Sequence, residues 1–110
     1  MKLPGVEHAV LEPVKVRDYL LSPAHPVGRF KAAFFIALGY TPERWERLRD
    51  DILAIALAEP ATEGSSNDYG QIFHVDGILT SPTGRSAAVR TAWIIRNGEQ
   101  FPRLVTAFPR

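Results

Sequence analysis

The sequence predicts an α+β domain: two to three amino-terminal helices packed on a carboxy-terminal antiparallel β-meander. Three observations predict it. Apolar residues recur at helical spacing between about residues 14 and 58, period-2 alternation takes over after residue 71, and proline- and glycine-rich turns separate the segments. At 110 residues the chain supports one hydrophobic core, so it is read as a single domain, 1–110.

Residues 3–12 read as irregular. Pro13 opens a short helix, Val14 to Leu21, with Val16, Leu20 and Leu21 facing inward. Ser22-Pro23-Ala24-His25-Pro26 ends it, because residues before proline avoid the helical region. A second helix runs from about Gly28 to Leu38. Its expected buried stripe is Phe30, Ala33, Phe34, Ala37 and Leu38, and Gly39 stops it. Thr41-Pro42-Glu43 marks a third helix start, with Thr41 as N-cap and Pro42 at the first helical position. Trp45, Leu48, Ile52, Ile55 and Ala56 line its inner face as far as Ala58, and Pro60 closes it.

Residues 61–70, Ala-Thr-Glu-Gly-Ser-Ser-Asn-Asp-Tyr-Gly, are polar and Gly/Ser-rich, the composition of a mobile connector. Sheet is expected beyond it: Gln71 to Thr80, a turn at Ser81-Pro82-Thr83-Gly84, Arg85 to Arg96, a turn at Asn97-Gly98, and Arg103 to Phe108. In the middle strand Ala87, Val89, Trp93 and Ile95 share one face. Ser86, Arg90 and Arg96 share the other.

Composition narrows the function classes. No apolar run approaches 18 residues and no cationic-then-apolar leader begins the chain, so neither a membrane span nor a secretory signal is expected. Zero cysteines exclude disulfides and thiol catalysis and fit a reducing cytoplasm. Three scattered histidines without a His-x-x-x-His pair predict no metal centre. With no phosphate-binding glycine loop or dinucleotide fingerprint, no cofactor is expected. Residues 39–68 carry seven acidic and three basic side chains, whereas residues 69–110 carry five basic and two acidic. A basic final third fits a polyanion-facing surface, and equally a solvated mixed one.

The segment His25-Pro26-Val27-Gly28-Arg29-Phe30-Lys31 sets one imidazole and two cations at a helix start. Cations there do not serve helix stability, since that end already carries free N–H groups and the positive end of the dipole. An anionic guest such as a phosphate would account for them. Arg29 and Lys31 lie about 200° apart around a helix, so a joint role needs the helix to start near Lys31 or the side chains to wrap. A sheet face carrying Arg90 and Arg96, with Thr106 and His74, is the second candidate surface. Thr91 has the opposite parity to Arg90 and joins only if a bulge re-aims it. Metal-independent RNA cleavage needs a base, an acid and cations for the phosphorane charge. Histidine suits the first two roles and arginine the last. Tyr69, Trp93 or Phe108 can stack a base, although Trp93 is a core residue by default. The competing readings are a backbone-bonded His25, solvated Arg90 and His74, and ordinary strand threonines.

The stretch Tyr19 to Ala32, together with Val75-Asp76-Gly77, Thr91-Ala92-Trp93-Ile94-Ile95 and Pro102 to Pro109, resembles a small bacterial family, domain of unknown function 6883. The His-Pro-x-Gly-Arg-x-Lys segment and the Arg-Leu-Val-Thr-Ala ending carry the resemblance. It implies a domain found alone, beside small acidic partners, or at the ends of secreted toxin polypeptides. It also implies kinship with compact ribonuclease toxins such as barnase, bacterial EndoU, the tRNA-cleaving colicins and RelE, which cleave RNA without metal on the sheet's open face. On that resemblance His25, Arg29, Lys31 and Thr106 fall on motif positions and are the expected catalytic set. Arg90, Thr91, Trp93 and His74 are the expected substrate-binding set. Where the family pattern often has tyrosine before its final proline, this chain has Phe108 and lacks that phenol. The expectation is a bacterial toxin, a metal-independent endoribonuclease neutralised by a small acidic antitoxin or immunity protein. The alternative is a non-catalytic protein-interaction domain.

Overall fold

A computed structural model describes residues 1–110. After a 3-10 turn (Val6–His8), a short α1 (Pro13–Lys15) widens directly into a π-helical turn (Val16–Leu20). Helix α2 spans Arg29–Leu38. Helix α3 (Trp45–Ala58) is opened by a 3-10 turn (Pro42–Arg44). Four strands follow, β1 (Ala61–Asn67), β2 (Gly70–Thr80), β3 (Ser86–Arg96) and β4 (Arg103–Pro109), in the order β1-β2-β3-β4, antiparallel throughout. This is the expected α+β meander with one strand more than the sequence pattern indicated. No helix is long and apolar enough to cross a membrane.

The helices cover one face of the sheet. Val16, Leu20, Leu21, Phe35, Leu48 and Ile52 from the helical layer meet Phe73, Val75, Leu79, Val89, Trp93, Leu104 and Ala107 from the strands. Trp93, the largest of these side chains, is 0% exposed. Its indole N–H donates to Thr91 Oγ1 at 2.8 Å, and the Thr91 hydroxyl donates to the Val75 carbonyl at 2.8 Å. Every buried side-chain polar atom in the protein has a partner, which removes the desolvation cost of this buried pair. The expected substrate-facing role for Thr91 and Trp93 is therefore corrected: both are core residues. The bulge invoked for Thr91 exists, but it falls between Ala92 and Trp93 in the β3–β4 pairing and leaves Thr91 pointing inward.

Two expected elements differ. Residues 61–67 form a strand rather than a mobile connector. Only Ala61 of this segment is buried, so it carries no apolar alternation to betray it. What recruits it is the edge of the long β2, whose main-chain groups need partners whatever the side chains opposite. The register breaks between Glu63 and Ser66. There the Gln71 side-chain amide donates to the Gly64 and Ser65 carbonyls at 2.8 and 3.3 Å, satisfying acceptors the bulge frees. Asn67 Oδ1 closes the turn by accepting from the Tyr69 and Gly70 amides.

Helix α2 buries Ala32, Phe35 and Leu38, so of the expected stripe only Leu38 is fully buried; Phe34 packs partly against the core and Phe30 is 73% exposed. The run Phe-Lys-Ala-Ala-Phe-Phe-Ile-Ala-Leu is apolar almost all round, so two adjacent faces satisfy the same spacing and packing alone chooses between them. Gly39, at φ 126, ends the helix as expected. The α3 face is as expected, with Leu48, Ile52, Ile55 and Ala56 buried. Thr41 makes no side-chain cap there.

Candidate functional site

The loop Ser22–Gly28 is held by His25. Its Nδ1 accepts from the Val27 and Gly28 amides at 3.0 and 2.9 Å, and its carbonyl accepts from the Arg29 amide at 3.1 Å. The imidazole thus does what an Asx side chain does at a helix start: it takes up amides that the helix leaves unpaired. Backbone N–H groups only donate, so in the neutral ring the proton sits on Nε2. Gly28 lies against the π turn. A Cβ at this position would stand 2.3 Å from the Tyr19 carbonyl oxygen. Its bare backbone therefore lets α2 begin directly against Tyr19.

That docking decides which cation turns inward. Lys31 Nζ donates to Tyr19 Oη at 2.8 Å and to Thr106 Oγ1 at 2.9 Å. An ammonium has three donors, so one N–H remains for a guest. The Tyr19 ring is flanked by Lys15 and Lys31, each ammonium 5.1 Å from its centroid, and meets the His25 ring edge-on at 5.0 Å. Burial pushes the Tyr19 phenol up. Hydrogen bonds to Lys31 and Thr106, with the charges of Lys31 and Lys15, outweigh that and hold it below its usual value of 10.

Thr106 reaches this cluster because of the β4 bulge. Leu104 pairs with Trp93 and Ala107 with Thr91, both pointing into the core, with Val105 and Thr106 between them. Thr106 pairs with Ala92, in the row that runs across the sheet through His74 to Thr62. Chain ends far apart in sequence thus meet at one margin of the sheet: Tyr19, His25 and Lys31 from the helical side, Thr106 from the last strand.

The other expected residues lie elsewhere. Arg29 is exposed, makes no side-chain hydrogen bond or ion pair, and stacks on the Phe30 ring with its guanidinium carbon 4.8 Å from the centroid. Arg90 shares the open face but is clamped by Asp76 through two hydrogen bonds of 2.8 and 3.0 Å, and Arg110 joins the same carboxylate. His74 is half-buried in the same row as Thr106 but two strands away, with Ala92 between them.

The Arg90 hydrogen bonds hold the Asp76 carboxyl below its ordinary 3.8; burial opposes them, and the charges of Arg90, Arg110 and His74 add to the lowering. A depressed carboxyl contributes stability that is complete above its unfolded value and lost as pH falls through the folded one. Urea melts of the parent and of Asp76→Asn should therefore differ by a constant amount well above about pH 4, and the gap should shrink as pH falls below the ordinary carboxylate value and through the lowered one. A gap of the same size across the whole acid range would show that Asp76 acts by some means other than its charge.

The family described as domain of unknown function DUF6883 matches residues 2–110. The chain belongs to that family. No curated protein matches this DUF6883 chain by sequence. Its fold is similar to that of a chain in a contact-dependent growth inhibition toxin–immunity protein complex from Klebsiella pneumoniae 342. The TM-score is 0.69 at 16% identity, over 96% of this chain and 97% of that one. At that identity the similarity shows the fold.

Sequence reasoning about the DUF6883 chain passed over Tyr19. It lies in the segment that carried the family resemblance, but a tyrosine inside a short amphipathic helix is ordinarily a packing residue. A signal existed: Lys31 has no acidic residue within ten positions on either side, so nothing near in sequence neutralises it. Tyr19 also supplies a phenol beside Thr106, two residues from Phe108.

Proposed function

We propose that this chain is a toxin whose activity is metal-independent cleavage of RNA, with the reaction centred on Tyr19, Lys31 and Thr106. The observation that carries the reading is the Lys31 ammonium. It bridges a phenol held below its usual pKa and a strand hydroxyl, with one donor unused. In the proposed step the Tyr19 phenolate takes the ribose 2′-OH proton. The 2′-oxygen attacks phosphorus, the bond to the 5′-oxygen breaks, and that oxygen takes a proton from water. A 2′,3′-cyclic phosphate and a 5′-hydroxyl remain. The free Lys31 N–H stabilises the phosphorane charge and Thr106 orients the group. His25 acts here as a donor through Nε2–H and as the brace of the loop. A base role at Nε2 is closed while Nδ1 receives two amides.

The family membership and the fold shared with a member of a toxin–immunity complex support a protein partner for this chain. An acidic inhibitor covering Lys31 would also meet Arg29 and the exposed Val27 and Phe30. The test is incubation of the purified protein with total RNA and tRNA in EDTA, alongside growth during induced expression. Cyclic-phosphate ends and arrested growth are expected. Intact RNA with unimpaired growth would refute the reading.

One observation favours a second reading, a non-catalytic interaction module. Strand β1 is a free sheet edge with exposed, polar side chains, a surface on which a partner strand can pair. The carboxy-terminal edge is less open, because Val10 bridges Arg103 there. Co-purification of a neighbouring protein without nuclease activity would favour this second reading.

A further inference from the structure

The largest concavity of the protein, about 810 Å³, is not lined by Tyr19, Lys31 or Thr106 themselves but reaches residues next to them. Lys15, whose ammonium flanks the Tyr19 ring, and Val105, next to Thr106, line its near end. Ile94 and Arg96 of β3 line it, on the face shared with Ala92, the partner of Thr106, and Arg96 pairs with Gly70. Four residues of strand span about 13 Å. Tyr69 stands at the far end, 76% exposed.

Nothing in the packing accounts for that ring, whereas the backbone beneath it is pinned. The Tyr69 amide donates to Asn67 Oδ1 at 2.8 Å and its carbonyl accepts from the Asn97 amide at 2.9 Å. Asn97 Nδ2 meanwhile holds the Asp68 carbonyl at 2.8 Å. The ring is therefore presented from a fixed support. The cations of the groove are of two kinds. Arg103 is bound by Glu99 and Glu12, while Lys15 and Arg96 make no ion pair. A charge-bearing ligand would meet unneutralised cations near the cluster and along the floor, and an aromatic face beyond them. Asp68, at the Tyr69 end, repels phosphate and favours a base there.

We propose that this groove is a subsite for the nucleotide flanking the scissile phosphate of a single-stranded RNA. Its base stacks on Tyr69 and its phosphate lies between Lys15 and Arg96. Stacking on an exposed aromatic is tolerant of base identity, so the subsite adds affinity and sets strand direction without demanding a sequence. The inference rests on the ribonuclease reading above, and its test separates the two.

The probe is a labelled RNA trinucleotide made non-cleavable by a 2′-deoxy sugar at the scissile position, bound to the full chain and followed by fluorescence anisotropy. Tyr69→Ala should weaken binding about 5- to 150-fold, and Tyr69→Phe should match the parent. Arg96→Ala should weaken binding and lower the salt dependence by about one counterion. Equal binding by the parent and Tyr69→Ala, with RNA cleavage by the parent intact, would overturn the subsite alone. A parent that neither binds nor cleaves RNA would overturn both proposals. If Tyr69→Ala lost the inhibitor protein but kept RNA, the groove would be a partner surface and the subsite refuted.

Discussion

Replacing Lys31 by alanine is expected to lower the RNA-cleavage rate about 10²- to 10³-fold, the usual loss when one preorganised donor to a developing oxyanion is removed. The loss should fall on kcat, because the unused N–H of Lys31 is offered to charge that grows in the transition state. A second signature separates this from a folding defect. Lys31 contributes both a hydrogen bond and a charge to the lowering of the Tyr19 pKa, against burial, which raises it. If the phenolate is the base, cleavage by the parent rises with pH through a value below 10. In Lys31→Ala that limb should move to higher pH, because the groups favouring phenolate are reduced while burial stays. Tyr19→Phe should abolish the limb, with a loss of about 10²- to 10⁴-fold. A Lys31→Ala profile with the parent's limb in the parent's place would sink the assignment of Tyr19.

Trp93→Ala should be the most damaging change to stability, costing about 3–5 kcal/mol. The indole is fully buried at the centre of the core and is held at its polar end by Thr91. Truncation opens a cavity that neighbours from three strands and the helices cannot all collapse to fill. Thr91→Val is the informative companion. It keeps the volume but leaves the buried indole N–H without an acceptor, a cost of about 1–3 kcal/mol. Chemical denaturation of both variants measures the two terms. If Thr91→Val were as stable as the parent, the hydrogen bond would not be a support of the core.

These outcomes bear on how much the sequence disclosed. The α3 face was readable because its charged and apolar residues segregate cleanly, with Glu46, Arg49 and Asp50 opposite Leu48, Ile52 and Ile55. The long β2–β3 hairpin was readable for the same reason, with turn residues at Ser81–Gly84. Helix α2 was readable as a helix but not as a face, since its apolar residues encircle it. Strand β1 was unreadable because edge pairing is made by main-chain groups, which every residue carries. The ambiguity between Arg29 and Lys31 was visible as a geometric conflict, and the docking of Gly28 on the Tyr19 carbonyl resolved it.

By itself the sequence determined the class of fold, the order of its elements and the loop that brings an imidazole and two cations to a helix start. These follow from local periodicity and turn chemistry, which act over a few residues. Only the tertiary structure decided that Lys31 turns inward, that Thr106 meets it across 75 residues of chain, and that Tyr19 belongs with them. It also decided that Thr91 and Trp93 support the core and that Arg90 is held by Asp76. Such pairings depend on how a helix rotates on a sheet and where a bulge shifts the register. Both are settled by long-range packing, for which no short stretch of sequence carries the information.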